Sequence, residues 1–105
     1  MTEIKHFSSK TDAQTIAEVL SEDGALIIDN VVSSDFIAEL RSETDPYMNH
    51  TSNGEDPFAG FNTTRTGGLL IRSEKCRELI EHSTILEPCR EFLAPFCERV
   101  QLHLT

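Results

Sequence analysis

The chain has 105 residues, 38% of them apolar, which is enough for one domain with a modest core. Eighteen acidic residues face nine basic ones, for a formal charge of −9. With no Lys/Arg cluster to meet phosphates, nucleic acid and anionic membrane surfaces are not expected partners. No apolar run approaches the roughly 20 residues that cross a bilayer, and residues 1–10 lack the apolar centre of a secretory signal. The expectation is a soluble, cytoplasmic protein. Cys76, Cys89 and Cys97 are odd in number and form no Cys-x-x-Cys, so they read as reduced thiols packed as small apolar groups.

Residues 1–10 read as a polar tail, and residues 11–105 as one domain. Thr11 with Gln14 three residues on is a capping box. Ile16, Val19 and Leu20 then form one helical stripe, which Asp23-Gly24 ends. Ala25-Leu26-Ile27-Ile28 has the length and β-branching of a strand. Ser33-Ser34-Asp35 starts a second helix bearing Phe36, Ile37 and Leu40, with Val32 placed as a staple. That helix is expected to fray at Asp45-Pro46, because a residue before Pro avoids helical geometry.

Residues 48–64 carry Asn49, Ser52, Asn53, Gly54, Asp56, Pro57, Gly60 and Asn62, which is loop chemistry. A loop of this length is usually functional or disordered, and Phe58 and Phe61 within it predict that it packs on something. Thr66-Gly67-Gly68-Leu69-Leu70-Ile71 reads as a turn and a short strand. Ser73 caps a third helix through Cys76, Leu79 and Ile80. Thr84-Ile85-Leu86-Glu87 is a further capping box, opening a helix with Pro88 in its first turn and Pro95 as its stop. Finally Val100-Gln101-Leu102-His103-Leu104-Thr105 alternates strictly, as a half-buried strand does. A strand pattern running into the last residue predicts a chain cut short.

No catalytic metal motif is present. The facial-triad iron oxygenases need two His and a carboxylate, yet His6, His50, His82 and His103 are followed two residues on by Ser8, Ser52, Thr84 and Thr105. No phosphate loop or Gly-x-Ser-x-Gly elbow occurs. Arg65 and Arg72 flank an apolar segment. Their planar forks suit a carboxylate clamp, although pairing with nearby acids is the plainer reading. Gln101, His103 and Thr105 share one face of the terminal strand. That face lines a cavity or, more plainly, meets solvent.

Three segments, in order, resemble one family. Asp23-Gly24-Ala25-Leu26-Ile27-Ile28-Asp29-Asn30-Val31-Val32, with the helix that ends at Leu40-Arg41, is similar to the opening of phytanoyl-CoA dioxygenase family members. Arg65-Thr66-Gly67-Gly68-Leu69-Leu70-Ile71-Arg72-Ser73, followed by Leu86-Glu87-Pro88, resembles a branch that includes fungal and bacterial secondary-metabolite oxygenases. The alternating segment at Val100 resembles the strand before the iron-binding His-x-Asp. The resemblance implies an α+β chain supplying the N-terminal helices and first strands of a double-stranded β-helix, a jelly-roll or cupin-like fold, incomplete here. It implies that the full-length enzyme uses Fe(II) and 2-oxoglutarate to oxidise, commonly hydroxylate, a small organic substrate. The iron ligands and the arginine that anchors 2-oxoglutarate would lie beyond Thr105, so this chain alone is expected to bind neither cofactor and to be inactive. Arg65, Thr66, Arg72, Gln101 and His103 become candidates for substrate or pocket contact. The alternative is a complete small acidic α/β binding or regulatory module. Oligomeric state and substrate identity stay open.

Overall fold

The computed structural model describes residues 3–101. In chain order the elements are β1 (His6–Ser8), α1 (Ala13–Asp23), β2 (Ile27–Asp29), α2 (Ser34–Met48), α3 (Leu69–Arg72), α4 (Glu74–Ile80) and α5 (Ser83–Leu93). They fall into two compact units, one built from residues 3–33 and 80–101 and the other from residues 34–79.

The first unit is a short β–α–β with an added helix. β1 and β2 pair in parallel, His6 beside Ile27 and Ser8 beside Asp29, and the crossover that parallel strands require is α1. β1 therefore sits within the first ten residues, which the sequence presents only as a polar tail. An ion pair and a hydrogen bond hold it: Lys5 Nζ meets Asp23 at 2.7 Å, and His6 Nδ1 donates to Asp29 at 3.0 Å. α1 packs against α5, burying Ile16 and Ala17.

Three terminal details of these helices correct the sequence reading. The cap of α1 is Asp12, not Thr11. Its carboxylate accepts the Thr15 N–H at 2.9 Å and the Thr15 hydroxyl at 2.8 Å, while Gln14 turns outward to donate to Glu18. The two carboxylate oxygens take one bond each, where a Thr hydroxyl offers a single oxygen, which favours Asp as the cap. α5 begins one residue before the predicted box, with His82 Nδ1 accepting the Thr84 N–H at 3.3 Å. Pro88 is then the sixth helical residue instead of lying in the first turn. It forfeits a bond to the Thr84 carbonyl and is buried in return. The expected ends hold: Gly24, at φ 79°, donates its N–H to the Leu20 carbonyl, and α5 stops before Pro95.

The second unit is organised by one stripe of α2. Phe36, Glu39, Glu43 and Tyr47 recur at three- and four-residue spacing and so share a face. Tyr47 carries the Arg72 guanidinium 4.6 Å above its ring. Lys75 Nζ lies 5.3 Å over Phe36 and pairs with Glu39 at 3.1 Å and Glu78 at 2.9 Å. Ile37, expected on the apolar stripe, is exposed. The helix also runs past the Asp45-Pro46 break. Pro46 lies in the last turn, and the carbonyls freed there are taken up locally: His50 Nδ1 donates to the Pro46 oxygen at 2.6 Å, and the Thr51 hydroxyl to the Tyr47 oxygen at 2.8 Å. The buried Thr44 hydroxyl donates back to the Leu40 carbonyl.

The predicted strand at residues 66–71 is instead a single helical turn, α3. Gly68 enters it at φ 69°, and Ser73 N–H closes it on the Leu69 carbonyl at 2.9 Å. An apolar run this short takes whichever geometry satisfies its backbone, and among the described residues no strand lies beside it to offer a ladder. Ser73 caps α4 as expected, accepting the Cys76 N–H at 2.9 Å. Of the alternating terminal segment, Val100 and Gln101 are described and carry no strand; residues 102–105, His103 and Thr105 among them, lie outside the described residues.

Candidate functional site

Arg65 and Thr66 stand at the neck of the long loop, and this is where the second unit brings together the residues singled out by sequence. The Thr51 and Thr66 hydroxyls bond each other at 2.7 Å. Just inside them Asn53 and Thr64 form an antiparallel bridge, and Gly54 N–H reaches the Thr63 carbonyl at 3.0 Å. Arg65 donates from Nη1 to the Ala59 carbonyl, tying the neck to the tip.

The loop is folded by its own polar groups. Asp56 accepts the Ala59 N–H at 2.6 Å and the Gly60 N–H on its backbone oxygen at 2.8 Å. Gly54 is needed for packing, because a Cβ there would lie 2.6 Å from the Ala59 carbonyl carbon. Gly60 adopts φ 85°. The result is a compact loop whose ends meet. The two aromatics expected to pack are presented outward: Phe58 is 97% exposed and Phe61 58%.

Arg72 is held on the Tyr47 ring. Among the described residues neither arginine pairs with an acid, so the plainer sequence reading of both is replaced by a carbonyl and a ring. Gln101 is exposed and belongs to the first unit; His103 lies outside the described residues. The sequence reading missed Glu43. One of its oxygens accepts from the Ser73 hydroxyl and from the Lys75 N–H at 3.0 Å, and these two donors hold its carboxyl below the usual carboxylate range. The 36/39/43/47 spacing was the available signal.

The first unit holds two open cavities along α1 and α5. One, of about 390 Å³, is lined by Ala17, Glu18, Glu91, Phe92, Pro95 and Phe96 among others. The second, of about 230 Å³, is apolar and takes Ile16, Leu20, Ile28, Ile85, Pro88 and the half-buried Cys89.

Among the described residues no three His, Cys, Asp or Glu side chains converge as metal ligands would. These residues do not fit an iron centre. No helix among them is long and apolar enough to cross a membrane.

No family model matches the chain. It is similar to Dioxygenase olcK of Penicillium canescens. The two are 31% identical over 78 residues, which cover 67% of this chain and 26% of that protein. The chain thus spans about a quarter of the curated relative it matches.

Proposed function

We propose that the chain is the N-terminal part of a non-haem iron(II)/2-oxoglutarate-dependent dioxygenase of the phytanoyl-CoA dioxygenase type. The observation that carries this reading is the identity of 31% over 78 residues with a protein described as a dioxygenase. The three segments that resemble the family support the finer assignment. Large apolar groups left in solvent, Phe58 and Ile71 among them, also fit a piece that further chain completes. So does a parallel sheet of two strands among the described residues, since parallel sheets are normally covered on both faces.

In this reading the longer protein forms a jelly-roll core that holds the iron and 2-oxoglutarate, and these supply the oxidation of a C–H bond in a small organic substrate. The residues described here buttress that core. The stapled loop and its Arg65–Thr66 neck would stand at the mouth of the barrel, where Phe58 and Phe61 offer apolar contact.

The test is the transcript downstream of the Thr105 codon. An open frame encoding His-x-Asp or His-x-Glu and a later His is expected, and its product should convert 2-oxoglutarate to succinate with Fe(II). An in-frame stop, with a cooperatively folding 105-residue product, would overturn the reading. It would favour a complete binding module, for which outward aromatics on a rigid loop are the supporting observation.

A further inference from the structure

We infer that the groove of about 390 Å³ between α1 and α5 is a binding site for a small organic ammonium ion, an amine carrying an apolar body. Its size falls within the roughly 300–1,000 Å³ of small-molecule sites. Its apolar wall is Ala17, Phe92, Pro95 and Phe96, and two carboxylates join them, Glu18 from α1 and Glu91 from α5.

The charges decide the ligand class. No Lys, Arg or His among the described residues lines the groove. Among the described residues Glu18 accepts from the neutral Gln14 amide alone, at 3.0 Å, and no ion pair engages Glu18 or Glu91. Both carboxylates therefore stand uncompensated beside aromatic rings, on a chain of net charge −9. An anion is repelled. A neutral apolar ligand gains only the apolar wall and leaves the two exposed carboxylates to water. A cation with an apolar body satisfies both surfaces, because the ammonium meets the carboxylates and ring faces attract cations. Phe96, 79% exposed, is free to cover it. The other flank of α5 provides the contrast: there Arg90, Glu98 and Arg99 line one cavity together, so both signs of charge are present. The apolar cavity beside Cys89 has no charged lining residue among the described residues. This inference does not rest on the oxygenase reading.

The test is an NMR titration of the ¹⁵N-labelled 105-residue chain with 2-phenylethylammonium, and with 2-phenylethanol as its neutral counterpart. The ammonium should shift amides of α1 and α5 saturably, with a dissociation constant on the order of 1 mM for a ligand of about nine heavy atoms. The alcohol should bind at least about fivefold more weakly. The double variant Glu18→Gln/Glu91→Gln alters exposed side chains and should keep wild-type circular dichroism. It should weaken the ammonium about tenfold, up to about fivefold per exposed ion pair, and leave the alcohol unchanged. Phe96→Ala should weaken both. Equal binding of amine and alcohol, indifference to the double variant, or shifts away from α1 and α5 would each overturn the proposal. So would a lysine-rich peptide that binds the same amides more than tenfold tighter than the amine.

Discussion

Glu43 of α2 accepts the hydrogen bond of the buried Ser73 hydroxyl, and the same oxygen takes the Lys75 N–H at 3.0 Å. Ser73, 1% exposed, uses its oxygen in turn to accept the Cys76 N–H. The start of α4 is thus capped twice, by its own Ser and by a carboxylate thirty residues away in sequence. Negative charge is favoured there by the helix dipole.

Ser73→Ala should therefore be costly for a one-atom change. It removes a cap, worth about 1 kcal/mol, and one of the two donors to Glu43, which keeps the Lys75 N–H. The expected loss is about 1–2 kcal/mol, read as a lowered urea midpoint at unchanged slope. A loss under about 0.5 kcal/mol would mean that the relay does not hold the unit together.

The same relay sets an acid sensitivity. Because the Glu43 carboxyl is depressed in the folded state by Ser73 and Lys75, its contribution is complete above the unfolded Glu value of about 4.3. It is lost as pH falls through the lower folded value. Urea midpoints measured from pH 7 down to pH 3 should fall less steeply in Glu43→Gln than in the parent chain. Some slope should persist, since Asp12 is likewise depressed by the Thr15 N–H and hydroxyl. Parallel curves would contradict this account.

Two glycines separate backbone strain from packing. Gly24 sits at φ 79° with nothing near its missing Cβ, so Gly24→Ala should cost about 1–2 kcal/mol through the left-handed backbone alone. Gly24→Asn should cost less. Gly67 also has open space and no positive φ, and Gly67→Ala should gain about 0.5 kcal/mol by narrowing the unfolded ensemble. Thermal melts of the three variants give the ranking.

Loop closure can be read by proteolysis. Chymotrypsin should cut slowly at Phe58 and Phe61 despite their exposure, because the loop is tied at its neck and braced by Arg65. Gly54→Ala collides with Ala59, and Thr66→Val removes the Thr51–Thr66 bond. Each should speed cleavage, by about fivefold for one bond of about 1 kcal/mol when opening precedes cutting. Unchanged rates would show that the tie does not limit opening.

Calorimetry of the 105-residue chain with Fe(II) and with 2-oxoglutarate should give no tight binding of either. Micromolar binding of both would mean that these residues build a metal site of their own.

Helices α1, α4 and α5 were legible because apolar periodicity and local caps agree. The first residues of α1 and α5 were not, since Asp12 and His82 compete with neighbouring hydroxyls that fit the capping pattern equally well. β1 was invisible: His6-Phe7-Ser8 is too short for periodicity to register, and its pairing depends on β2 some twenty residues on. Leu69-Leu70-Ile71 misled because composition cannot say whether a strand will find a partner. At the loop, Arg65 and Thr66 were marked from sequence, but their partners Ala59 and Thr51 are set by chain closure. Glu43 was hidden because the face that α2 packs is polar and aromatic, and apolar periodicity does not register such a face.

Since the Thr51 and Thr66 hydroxyls join the two ends of the loop, the stretch between them is anchored independently of its contents. Lengthening such a segment adds little closure entropy. Its tip can be exchanged wholesale while the helices on either side keep their geometry, so recognition here can diversify by insertion and deletion as freely as by point substitution.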